Sequence, residues 1–141
     1  VTQYIYKHDG KLLIVDDDYS VCTILGAKLA GEGYECDTCP GGELALDLMQ
    51  RRAYDALILD LVMPGVTGLE ILITAKKRYP RTAFIIVTGM DDAKLAAKAS
   101  KLGADGYLVK PIHLRELVAS VARAIEKKRR EGESADKPLQ D

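Results

Sequence analysis

Leu12-Leu13-Ile14-Val15 is an unbroken apolar run that stops at three carboxylates, Asp16-Asp17-Asp18. Four more short runs follow at nearly even spacing: Tyr34–Thr38, Ala56–Leu59, Ala83–Val87 and Tyr107–Val109. Of the five, four are almost continuously apolar, the pattern of parallel strands covered on both faces. The run at 34–38 alternates with Glu35 and Asp37, which predicts a strand at a sheet edge. The segments between the runs carry helical periodicity. Val21, Ile24, Leu25 and Leu29 fall on one helical face, as do Leu114, Leu117, Val118, Val121 and Ile125. Leu44/Leu48, Leu69/Leu72/Ile73 and Leu95/Ala99/Leu102 fit the same period. Thr67-Gly68-Leu69-Glu70 reads as a capping box opening the third helix. Gly103 suits the stop after the fourth helix, and Pro111 the first turn of the fifth.

Alternating strands and helices imply a parallel sheet with right-handed crossovers and helices on both faces. Five units are too few for a closed barrel, so the expected fold is α/β, a doubly wound five-stranded open sheet, (βα)5. The expected organisation is a leader over 1–10, one domain over 11–130, and a polar linker or tail over 131–141. Within the leader, Tyr4-Ile5-Tyr6 reads either as a short strand or as part of the leader itself.

Composition narrows the classes. The chain has 141 residues, 48% apolar and 29% charged, which supports one core without disulfides or structural metal. Net charge is −1, so no global attraction to nucleic acid or anionic lipid is expected. The apolar runs fall far short of the ~20 residues that span a bilayer, and Val1–Gly10 does not read as a signal peptide. Three cysteines, an odd number, argue for a reducing compartment and a cytoplasmic location.

In an open α/β sheet, function sits beyond the carboxyl ends of the strands. Those ends read Asp16-Asp17-Asp18, Asp60, Thr88-Gly89 and Lys110-Pro111. Singly, each has an ordinary explanation; an Asp after a strand is most often a turn or helix cap, and Asp18 is assigned that role. Together at one sheet edge they specify chemistry. Crowded carboxylates need cations, because each raises its neighbours' pKa. Lys110 supplies one positive charge, and Mg²⁺, which takes a couple of carboxylates and keeps waters, is the natural second. Such a set, with the Thr88 hydroxyl, suits a phosphoryl group. Asp60, alone at the central strand end, is the candidate nucleophile.

The motifs Leu13–Asp18, Leu59-Asp60-Leu61-Val62-Met63-Pro64-Gly65, Val87-Thr88-Gly89 and Gly103–Pro111 resemble the receiver domain of bacterial response regulators, in order and spacing, from about Lys11 to Lys128. The resemblance implies the flavodoxin-like strand order 2-1-3-4-5. It also implies Asp60 as phosphoacceptor and Mg²⁺ bound by Asp17, by Asp16 mainly through water, by Asp60, and by the Val62 carbonyl. Thr88 and Lys110 would contact the phosphoryl group. Tyr107 matches the aromatic that swings inward as Thr88 moves, and Lys110–Pro111 matches a cis peptide. The implied partners are a histidine kinase or histidine phosphotransfer protein, and an output domain or partner on the face of the fourth helix, fifth strand and fifth helix. A homodimer on phosphorylation is a further implied state; direct nucleic-acid or membrane binding is not. No enzymatic activity is implied beyond the domain's own phosphorylation and dephosphorylation. Val62 and Met90 depart from members that carry Asn or Glu at those places, which bears on the lifetime of the phosphoform.

Competing readings are weaker. A haloacid-dehalogenase-type phosphatase needs an acid two residues after its nucleophile, where Val62 cannot transfer a proton. A flavodoxin-like cofactor binder needs a phosphate cradle after the first strand, where three aspartates stand. Cys36-Asp37-Thr38-Cys39 is a CxxC, but on a strand its cysteines face opposite ways, and Cys36 is read as core. His8 and His113 are read as surface residues. The basic run Lys127-Lys128-Arg129-Arg130 is read as a solvated helix end. A Val start and a linker-like tail favour a segment of a longer protein over a stand-alone regulator.

Overall fold

The computed structural model describes residues 8–136. Its elements alternate: β1 (Lys11–Val15), α1 (Tyr19–Gly31), β2 (Glu35–Cys39), α2 (Gly42–Arg51), β3 (Ala56–Leu59), α3 (Gly68–Arg78), β4 (Ala83–Thr88), α4 (Ala93–Lys101), β5 (Gly106–Val109) and α5 (Leu114–Asp136). One parallel sheet runs β2-β1-β3-β4-β5, as the resemblance implied. Val15 pairs with both Cys39 and Leu59, and Thr88 with Val109, so the carboxyl ends of the strands lie along one edge.

The apolar runs have the cause assigned to them. Side chains alternate across a strand, and here both sides are covered. Leu12 and Ile14 enter a core shared with Leu25 and Leu29 of α1 and Leu117 and Val121 of α5. Leu13 and Val15 enter the opposite core, with Met49 of α2, Ile71 and Leu72 of α3 and Ala99 of α4. Edge strand β2 is half-exposed, as its polar alternation required, and the opposite edge β5 is partly exposed as well. Phe84, fully buried in β4, fills the second core. Phe84→Ala is expected to cost about 3–5 kcal/mol, read as a lower urea midpoint at unchanged slope.

Caps hold the helix starts. Asp18 accepts from the Ser20 and Val21 amides at 2.9 and 3.4 Å, and Thr67 accepts from the Glu70 amide at 3.3 Å. Gly103 ends the α4 turn at φ +106°, a conformation that suits glycine.

Several expectations need correction. Pro111 precedes α5 rather than sitting in its first turn, because the chain is still leaving β5 there. Ile24, Leu44 and Ile73 are exposed. In α2 the buried positions are Gly42, Ala45 and Met49, the last two one step round from the Leu44/Leu48 stripe. Helix α5 does not stop near 130 but continues to Asp136. The basic run therefore lies within the helix. Lys128 is buried and pairs with Asp105 at 3.3 Å, while Arg129 pairs with Asp9 at 3.4 Å. Nor is His8 a free surface residue: its ring stacks on Tyr34 with centroids 5.4 Å apart. His113 is exposed as expected. Cys36 is half-buried rather than core; it faces the α1/α5 side and Cys39 the other, so the CxxC is not a chelating pair. The segment Tyr4-Ile5-Tyr6 and the last five residues of the expected tail lie outside the described residues.

Candidate phosphoryl-transfer site

Adjacent strands β1 and β3 deliver Asp16 and Asp60 side by side. Each is the first residue after its strand, where the backbone leaves the sheet and the side chain meets the edge. The Asp60 amide still donates to the Val15 carbonyl at 3.0 Å, which keeps its Cα in sheet register. Asp16 and Asp60 are buried, whereas Asp17 is exposed. Oxygens of Asp16, Asp17 and Asp60 all lie within 4.8 Å of one another, an arrangement able to hold a metal ion.

Lys110 reaches this cluster from the far side of β4. Its amide donates to the Thr88 carbonyl at 2.8 Å, holding the chain after β5 against the end of β4. Its ammonium then lies 2.8 Å from Asp16 Oδ2 and 3.4 Å from Asp60 Oδ2. Burial opposes the Lys110 charge, but the bond and charge of Asp16, with Asp60 behind it, outweigh this and raise its pKa. The Asp60 pKa is raised as well, which for a carboxyl favours the neutral form. Burial raises its carboxyl pKa, against the Val62 amide, which donates to Oδ1 at 3.2 Å, and the Lys110 charge. The second oxygen of Asp16 accepts from the Asp18 amide at 2.9 Å. The Lys110–Pro111 peptide is cis, as the resemblance implied.

Thr88 is buried at the end of β4. Its hydroxyl accepts from the Met90 amide at 3.3 Å, while the Tyr107 hydroxyl donates to the Met90 carbonyl at 2.8 Å. The Met90 residue thus joins the two expected switch residues through its backbone. Nothing in the sequence marks this role, since any residue supplies those atoms. A second feature is missed for the same reason: Cys22 packs under the site, its Sγ 3.4 Å from the Asp16 carbonyl. The Val62 and Met90 side chains are exposed, at 60% and 44%.

Residues 12–122 match the response regulator receiver domain family. The chain belongs to that family. A curated relative, the DNA-binding transcriptional regulator NtrC of Klebsiella pneumoniae, is 40% identical over 116 residues, 82% of this chain and 25% of its own length. The transcriptional regulatory protein ZraR of Escherichia coli O157:H7 is 35% identical over 119 residues, 84% of this chain and 27% of its own. Among solved structures, NtrX from Brucella abortus superposes with a TM-score of 0.87 at 26% identity, over 95% of this chain and 31% of that one. The chemotaxis protein CheY4 of Vibrio cholerae superposes at 0.78 with 29% identity, over 83% of this chain and 99% of that one. This chain is therefore a receiver domain of the two-component signalling type, and it spans about a quarter of the length of its NtrC relatives. Among the described residues, no helix is long and apolar enough to cross a membrane.

Proposed function

We propose that Asp60 accepts a phosphoryl group from a histidine kinase or a histidine phosphotransfer protein, in a step that requires Mg²⁺. A carboxylate oxygen of Asp60 forms the new bond to phosphorus. The P–N bond to the donor imidazole breaks, and its electron pair stays on the departing nitrogen. Mg²⁺ held by Asp17, Asp16, Asp60 and the Val62 carbonyl would neutralise charge on the transferring group. The carrying observation is Lys110, whose ammonium reaches past the end of β4 to bridge Asp16 and Asp60 on the adjacent strands β1 and β3. It orients the nucleophile and stands ready to leave Asp16 for a phosphoryl oxygen. Exposed Asp17 has an oxygen within 4.8 Å of those of Asp16 and Asp60, where it is open to a metal ion arriving from solvent.

The output reading follows from Thr88, Met90 and Tyr107. A phosphoryl oxygen that draws the Thr88 hydroxyl away from the Met90 amide releases the loop to which Tyr107 is tied. That loop leads into α4, whose Ala93 and Ala97 are exposed and whose Leu95 and Ala96 are half-buried. The α4–β5–α5 face is thus the surface proposed to contact an output domain, a partner or a second copy of the chain. Hydrogen exchange over residues 89–110 is expected to change when a phosphoryl mimic such as BeF3 is added with Mg²⁺. Identical exchange in both states argues against this switch.

The test of the site is acetyl phosphate with Mg²⁺ followed by intact mass. One phosphoryl group is expected on the parent and none on Asp60→Asn. Label that persists in a folded Asp60→Asn protein overturns the assignment. Because burial holds the Asp60 pKa above its unfolded value, its ionised form opposes folding once pH passes that value. Asp60→Asn is accordingly expected to melt higher than the parent at neutral pH, with the gain fading as pH falls to where Asp60 is protonated in both states.

A further inference from the structure

Gly68, the first residue of α3, is buried directly against the backbone that follows β3. Its amide donates to the Leu61 carbonyl at 3.4 Å. A β-carbon built there overlaps the Asp60 carbonyl oxygen and falls 2.9 Å from the Asp60 carbonyl carbon and 3.0 Å from Leu61 Cα. These are backbone atoms, so no side chain can rotate aside to make room. The surroundings leave little slack. Ile71 and Leu72 hold α3 in the core at 0% exposure, and Leu61 and Met63 bury the connecting loop at 4% and 5%. On the other side, the Asp60 amide is fixed to Val15.

With Asp60 as the phosphoacceptor proposed above, we infer that Gly68 is a positioning residue for phosphoryl transfer: the missing side chain lets α3 seat the Asp60 peptide where its carboxylate meets Lys110 and the metal-holding oxygens. The capping role read for this segment belongs to Thr67 and Glu70 and does not require glycine at the position between them. Nor does backbone conformation require it, since Gly68 is not among the positive-φ glycines. The requirement is space beside one peptide. Any side chain pushes that peptide, and a displacement of about 1 Å at a reacting group lowers rates by roughly a hundredfold.

The experiment follows acetyl phosphate labelling at saturating Mg²⁺ in Gly68→Ala, with the rate expressed per folded molecule from circular dichroism. Gly103→Ala serves as the comparison: it introduces strain at φ +106° and pushes on Lys76, at the opposite end of the sheet from Asp60. Both variants are expected to lose stability. Only Gly68→Ala is expected to lose labelling rate, tenfold or more, with a weaker apparent Mg²⁺ affinity. Where Gly68→Ala is partly unfolded, sucrose restores the folded population without touching the site, and the rate is read there. A fall of less than tenfold per folded molecule overturns the inference, as does an equal fall in both variants. Label on Asp60→Asn would instead count against Asp60 itself, so the two failures are distinguishable.

Discussion

Asp17→Ala is expected to lose Mg²⁺-dependent labelling altogether while melting no lower than the parent. The two aspartates after β1 are adjacent in sequence and opposite in setting. Asp16 is buried, paired with Lys110 at 2.8 Å and bonded to the Asp18 amide. Asp17 is exposed, yet its oxygen lies within 4.8 Å of those of Asp16 and Asp60. With no metal bound it contributes mainly like-charge repulsion, so its removal is neutral or stabilising. With metal bound it would be the ligand that closes the set. Asp16→Ala should behave differently: Lys110 loses its nearest partner and the Asp18 amide its acceptor, a loss on the order of 1–3 kcal/mol. Calorimetric titration of Mg²⁺ and thermal melts of the two variants separate these effects. A parent-like Mg²⁺ titration in Asp17→Ala would remove it from the ligand set, and a lower melting temperature would show a structural duty that its exposure does not explain.

What the sequence made legible follows from how local each determinant is. The runs ending in Asp16, Asp60 and Thr88 could be read because a strand covered on both faces leaves no polar position until it exits the sheet. That exit is where function sits. The same logic gave β2 as the edge and separated Cys36 from Cys39. Helix faces were read less well. Ile24, Leu44 and Ile73 match the period but are exposed, because a helix on a doubly covered sheet buries a narrow stripe and small residues such as Ala45 fill it. The basic run at 127–130 departs from a solvated helix end because a partner, Asp105, lies more than twenty residues earlier, just before β5. Pairing at that separation has no sequence signal. The Met90 link between Thr88 and Tyr107 was invisible because it is made by backbone atoms, and the close approach at Gly68 because it depends on where α3 lands beside β3.

The phosphoform of this chain is expected to be long-lived, and Val62→Asn with Met90→Glu to shorten its life about tenfold. Hydrolysis of an acyl phosphate needs a water in line with the departing carboxylate oxygen, held by a hydrogen-bonding neighbour. Val62 and Met90 each stand two residues beyond a site residue, Asp60 and Thr88, and both side chains are exposed. Neither holds water well, since valine has no polar atom and a thioether is a weak acceptor. The nearby Val62 amide is already engaged, donating to Asp60 Oδ1. Polar side chains at these two exposed positions restore a site for the attacking water without disturbing the core. The measurement is loss of label from isolated phosphoprotein in the presence of Mg²⁺, double variant against parent. Faster decay in the double variant supports the assignment of these positions. Equal or slower decay means that another group positions the water, and the lifetime of the parent must then be set elsewhere in the site.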